Sequence, residues 1–205
     1  MIYLSGAINK ALVCRPNTGY MLTPMIGNKV DFNGTLWAAD TGCFNQPEKY
    51  DQEEYLAWLR ERSDYSSRCL FATAPDVVGD AEATMEKSLP MFPLLRAEGY
   101  RAALVAQNGL ENMDIPWDEF DCLFVGGTTQ WKLSEAAYQL AVEAENKGKW
   151  THMGRVNSWR RLKAAAVSGY DSADGTYLVF GPDFLLPKLN AWLDALNTQS
   201  VMEVT

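Results

Sequence analysis

The sequence predicts an α/β fold built on a parallel sheet, either doubly wound or closed as a (β/α)8 barrel. Two observations carry this. Short apolar runs alternate with helix-like stretches along the whole chain, as buried parallel strands and their crossovers do. No repeat, linker or charge block divides the 205 residues, so residues 1–205 read as a single domain, near the lower size limit of about 200 residues for a barrel.

The candidate strands, in order, are Ile2–Ser5, Gly19–Thr23, Leu36–Ala39, Leu70–Ala74, Ala102–Ala106, Cys122–Val125, Trp150–Met153 and a last run near Tyr170–Asp174. Each is short, apolar and followed by polar or turn residues. Helices are expected between them. Asp51 with Glu54 forms a capping-box pattern ahead of Tyr55, Leu56 and Leu59, which share one helical face. Asp80 caps a helix over Ala81–Glu98 that Pro90 and Pro93 should kink or break. Ser134 caps a stretch to Asn146, and Ser158 caps a helix through Val167 that Gly169 stops.

Composition narrows the function. A net charge of −8 argues against a general nucleic-acid coat but leaves room for a locally basic cleft. Cys14, Cys43, Cys69 and Cys122 are far apart, with no C-x-x-C pair, so we expect buried reduced thiols and no zinc site. No window approaches the roughly 20 apolar residues of a membrane span. Met1–Leu4 enters a strand without a basic leader, which predicts a cytoplasmic protein without membrane association.

In both architectures function sits at the carboxyl ends of strands. There the sequence places Asp40, Asp76, Gln107, the Gly126–Gly127 pair, His152 to Asn157, and Asp174. Singly, the three aspartates are ordinary turn or capping residues. Together they suit a carboxylate-based hydrolase or transferase, one as nucleophile and another as acid or base. Phe44 and Met153 read equally as core residues, and His152 as a structural histidine. Arg155, Arg160, Arg161 and Lys163 form the densest basic cluster, either a solvated helix face or a phosphate contact.

These residues resemble the tRNA-guanine transglycosylases. Asp40-Thr41-Gly42-Cys43-Phe44-Asn45-Gln46 is similar to the D-S-G-G-[FY]-Q segment of that family, and Ala74-Pro75-Asp76 stands where its guanine-reading aspartate does. Val105-Ala106-Gln107-Asn108-Gly109 resembles V-Q-G-G, and Leu123–Gly127 resembles L-A-V-G-E. Met153-Gly154-Arg155-Val156, followed by Ala164 to Asp174, resembles M-G-V-G, an alanine-rich helix and G-x-D-x-x-D. The likeness runs from about Leu36 to Thr176. It is nearest to the short transglycosylase-like proteins of phages and bacterial islands that place 7-deazaguanines in DNA; a phage protein would act in the host cytoplasm.

The resemblance implies a (β/α)8 TIM-type barrel, compact or slightly incomplete, that exchanges guanine in DNA for a preQ0-like 7-deazaguanine. Asp174 would be the nucleophile on C1′, and Asp40 would move protons on the departing and incoming bases. Asp76 would read guanine N1–H and its exocyclic amine. Gln107 and a backbone N–H near Gly126 would approach O6, and Phe44 and Met153 would sandwich the ring. The basic cluster Arg155, Arg160, Arg161 and Lys163 would hold the DNA.

The chain also departs from the family. No cysteine or histidine follows Asp174, so the zinc subdomain is missing, and we expect no metal and no cofactor. Gly175-Thr176-Tyr177-Leu178 replaces the anticodon-reading T-R-x-x-R-x-G, and Gly127 replaces a glutamate that helps accept an aminomethyl substituent. tRNA is therefore the less favoured partner. A tRNA-type enzyme, a nucleosidase using the same carboxylates, and a catalytically silent binding subunit remain as alternatives.

Overall fold

In a computed structural model the eight strands form a closed parallel barrel in sequence order. The structure describes residues 1–25, 30–32, 34–43 and 49–202, with the side chains of 198–202 excepted. The strands are β1 (Ile2–Ser5), β2 (Thr18–Leu22), β3 (Leu36–Ala39), β4 (Cys69–Thr73), β5 (Ala102–Ala106), β6 (Cys122–Val125), β7 (Trp150–Met153) and β8 (Ser172–Gly175). Closure is made by β8 on β1, with Leu4 opposite Asp174 and Ser5 opposite Gly175. The doubly wound alternative is thereby excluded, and the barrel is complete, not short of a strand.

The four helices expected from capping residues start where that chemistry places them. The Asp51 side chain accepts from Glu54 N at 2.8 Å, opening α2 (Gln52–Arg60) after a short α1 (Lys10–Val13). The stretch after Asp80 divides as the prolines require. The Asp80 carboxylate accepts from Ala83 N at 3.0 Å to start α3 (Ala81–Ser88), and Pro93 sits in the first turn of a separate α4 (Phe92–Ala97). After α5 (Thr129–Lys132) come α6 (Glu135–Asn146), capped by Ser134, and α7 (Trp159–Val167), capped by Ser158. A long α8 (Pro182–Met202) follows β8, beyond the helices expected from the sequence.

Each strand sends alternate residues to opposite sides. Inward-facing Leu4, Met21, Ala38, Phe71, Ala103, Val105, Cys122 and Phe124 form one apolar cluster that fills the barrel. Outward-facing Tyr3, Trp37, Leu104, Leu123 and Met153 join helix residues such as Leu140 and Leu162 in a larger cluster. The plug fills the barrel interior below the strand ends, and a cavity opens above it where the strands end.

All four cysteines are free. Cys43, Cys69 and Cys122 are buried as expected, but Cys14 is exposed because it is the C-cap of α1, in the turn leading to β2. Among the described residues no helix is long and apolar enough to cross a membrane.

Candidate active site

A cavity of about 370 Å³ lies at the carboxyl ends of the strands. Its lining includes Asp40, Asp76, Gln107, Gly126, Arg155 and Asp174, six of the sequence-predicted positions, from six consecutive strands or the loops after them. Met21, Val105 and Phe124 supply its apolar wall. Parity along β2 and β6 would have revealed Met21 and Phe124, because both alternate with outward core residues.

Asp40 extends β3 by one ladder bond, its N–H donating to Leu22 O at 2.8 Å. Its Oδ1 accepts from Gly42 N at 2.9 Å, so the turn role and the pocket role coincide. Burial, with added repulsion from the Asp76 and Asp174 carboxylates, pushes the Asp40 carboxyl up to about 6, against the pull of the Gly42 N–H.

Asp76 follows β4 and is held from both sides. Gln107 Nε2 donates to its Oδ2 at 2.6 Å, and the Cys43 thiol donates to its Oδ1 at 3.2 Å. Burial raises this carboxyl, opposed by the Cys43 bond and the Arg155 charge. The Gln107 amide oxygen is also engaged, because Oε1 accepts from Gly79 N at 2.9 Å and Gly127 N at 3.1 Å. The Gly126 N–H donates to Ala106 O at 3.0 Å. Of the groups expected to approach a base O6, the Gly126 N–H is engaged in the barrel ladder, whereas Gln107, which lines the cavity with Gly126, has one Nε2 hydrogen on Asp76 and a second beyond that bond.

Asp174 is the penultimate residue of β8 and only 6% exposed. Its Oδ1 accepts two bonds, from the Arg155 backbone N–H at 3.1 Å and from His152 Nε2 at 3.1 Å. Arg155 makes its bond from a left-handed backbone with φ +56°, a conformation non-glycine residues rarely take. Two cations hold that strap in place. Lys132 Nζ donates to Gly154 O at 2.6 Å, and the Arg161 guanidinium donates to Arg155 O at 2.7 Å. Gripping two successive carbonyls turns the Arg155 N–H toward Asp174. Lys132 is almost fully buried, and burial, with the nearby Arg155 and Arg161 charges, brings its amine down to about 7.

His152 is fully buried in the barrel, against the rings of Phe71 and Phe124 at centroid distances of 4.9 and 4.5 Å. It is packed as a structural histidine, and its second partner is the Asp174 carboxylate. Met153 is the reverse case. It is 2% exposed, packs in the outer cluster and does not line the cavity, so it cannot stack on a base there. Phe44 lies outside the described residues.

The basic cluster divides. Arg155 faces the cavity and its guanidinium also donates to Gly127 O, while Arg161 supports the strap. Arg160 and Lys163 are exposed on α7 and do not line the cavity. Among the described residues no group of three or more His, Cys, Asp or Glu is placed to hold a metal ion.

No protein-family model matches the chain, and comparison with curated proteins finds no match. Solved structures do. The Bacillus subtilis YkuI protein, which has an EAL domain and was solved with its substrate c-di-GMP and calcium, aligns at 18% identity and TM-score 0.48, over 86% of this chain and 47% of that one. A putative glycerophosphoryl diester phosphodiesterase from Silicibacter pomeroyi aligns at 13% identity and TM-score 0.40, over 70% of this chain and 48% of that one. The chain thus spans about half the length of either structure.

Proposed function

We propose that the chain is a base-exchange transglycosylase. It replaces guanine in DNA with a 7-deazaguanine of the preQ0 type through a covalent aspartyl-glycosyl intermediate. One observation carries the reading: Asp40, Asp76 and Asp174 share one cavity, and each carboxylate has a different environment suited to a different task.

Among the described residues, the hydrogen bonds to the Asp174 carboxylate, from His152 Nε2 and the Arg155 backbone N–H, both end on Oδ1, which leaves Oδ2 for chemistry. In the proposed reaction Oδ2 attacks C1′ of the target nucleoside, the C1′–N9 bond breaks, and its electron pair leaves on guanine. Asp40, with its raised proton affinity, gives the departing base its proton. In the second half the incoming 7-deazaguanine returns a proton to Asp40 as its N9 attacks C1′, and the ester to Asp174 breaks. Asp76 already accepts two bonds, and a carboxylate has about four acceptor sites, so two remain for the N1–H and amine of a guanine edge. Adenine, with an acceptor at N1, is rejected. Met21 and Phe124 offer apolar surface for the ring in place of Met153.

The test is exchange of labelled guanine or preQ0 into single-stranded DNA, duplex DNA and tRNA in parallel. Label entering DNA is the expected result. Label in tRNA alone would assign the tRNA-type activity, guanine release without uptake a nucleosidase, and neither a silent binding subunit.

A further inference from the structure

We infer that Trp150, Ser172 and His152 form a one-directional hydrogen-bond relay that holds the Asp174 carboxylate, with His152 as its positioning residue. The inference rests on the reading of Asp174 as the reactive carboxylate. Three distances define the chain: Trp150 Nε1 to Ser172 Oγ at 2.8 Å, Ser172 Oγ to His152 Nδ1 at 2.8 Å, and His152 Nε2 to Asp174 Oδ1 at 3.1 Å.

The direction follows from what each group can do. An indole N–H only donates, so Ser172 Oγ accepts from Trp150 and its own hydrogen is free to be given onward. His152 Nδ1 takes that hydrogen, which places the ring proton on Nε2, aimed at Asp174. The opposite tautomer fails at both ends. It would point a second N–H at Ser172 Oγ, strand the serine hydrogen, and set a ring lone pair against a carboxylate oxygen. The location agrees. The imidazole has no exposed surface, stands between Phe71 and Phe124, and its proton affinity is lowered chiefly by burial, which favours the neutral ring.

The relay gives the carboxylate a preferred orientation. Oδ1 is anchored by His152 and by the Arg155 N–H, so Oδ2 is the oxygen left toward the cavity. Strand parity makes this possible: residues 150 and 152 on β7 and residues 172 and 174 on β8 all point inward, at adjacent positions of paired strands.

The chain holds one histidine, so 15N NMR of the whole protein reports a single imidazole. The expected spectrum has protonated Nε2, unprotonated Nδ1 and no titration near the ordinary value of about 6.5. A protonated Nδ1 in the neutral ring, or titration near 6.5, would overturn the relay. The positioning role is read from variants. Glutamine can place an amide N–H close to the Nε2 position and leucine cannot. His152→Leu should lower kcat for labelled-guanine exchange roughly 100-fold with KM for guanine unchanged, and His152→Gln should recover at least about 10-fold of that. Equal loss in both folded variants, or loss in KM alone, would reduce His152 to packing. Circular dichroism separates either outcome from failure to fold. If the unaltered protein exchanges no base into DNA or tRNA, the proposed function fails by itself, and the NMR result still decides the relay.

Discussion

Gln107 Nε2 donates to Asp76 Oδ2 at 2.6 Å while its Oε1 accepts from the Gly79 and Gly127 backbone N–H groups at 2.9 and 3.1 Å. The amide can therefore sit only one way round, and it transmits the position of two loops to one carboxylate. Asp76 is oriented by backbone that belongs to the loops after β4 and β6.

Asp76→Asn tests that orientation. The new side-chain amide would face a donor wherever it points, either Gln107 Nε2 or the Cys43 thiol, and would offer a donor to guanine's own donors. One buried unpaired donor costs about 1–3 kcal/mol, or roughly 5- to 150-fold in affinity. Calorimetry with guanine or preQ0 should show that loss; unchanged affinity would put the base elsewhere.

Asp174→Asn should abolish exchange with little change in stability. The variant keeps an Oδ1 that accepts from His152 and from Arg155 N, so the local network persists without the nucleophile. A protein–DNA adduct should be trapped on a denaturing gel with the unaltered protein alone. An adduct with the variant would remove Asp174 from the reaction.

Asp40 gives a pH signature. Its folded value of about 6 exceeds the ordinary 3.8, so the native state holds this proton more tightly than the unfolded chain does. The group's stabilising contribution is full below about pH 4 and lost as pH rises through 6. Asp40→Asn should therefore stabilise the fold at pH 7.5 by on the order of 2–3 kcal/mol, with the gain vanishing toward pH 4. Urea midpoints at the two pH values measure it, and a constant difference would contradict the assignment. The same variant should lose exchange.

DNA contact should depend on the exposed pair of α7. Arg155 and Arg161 already donate to backbone carbonyls, whereas Arg160 and Lys163 are exposed and make no hydrogen bond or ion pair among the described residues. Arg160→Gln with Lys163→Gln should weaken single-stranded DNA binding across sequences and flatten its salt dependence by about one to two charges. Fluorescence anisotropy across a salt series reads this; an unaltered slope would place the strand on another surface.

Gly154 must stay small. A Cβ there would lie 2.5 Å from Phe124 Cε1, beside the ring that packs on His152. Gly154→Ala should destabilise by about 1–3 kcal/mol, visible in the denaturation midpoint. A shift under about 0.5 kcal/mol would mean the ring yields freely.

Much of the barrel is legible in the sequence because its strands are buried on both faces: Ala102–Ala106 and Cys122–Val125 read as unbroken apolar runs. Asp174 stands out as a charge at the end of such a run. Met153 departs from its expected place for a reason strand geometry supplies. Neighbouring residues on a strand face opposite ways, and with Trp150 inward it is His152 that shares its side. The Gln107 clamp is not legible, since its partners at Gly79 and Gly127 come from two other loops. Helix α8 escapes the sequence reading as well; it carries Pro187 inside, a residue that argues against helix locally.

The uneven burial of the four thiols has a practical use. Cys43, Cys69 and Cys122 are closed off, whereas Cys14 stands in solvent at the turn before β2, at the end of the barrel opposite the cavity. A maleimide dye should attach at that one site in the native protein and leave the chemistry untouched. Paired with a dye on an oligonucleotide, it would become a built-in ruler for testing whether a strand lies across the barrel mouth, as the proposed function requires.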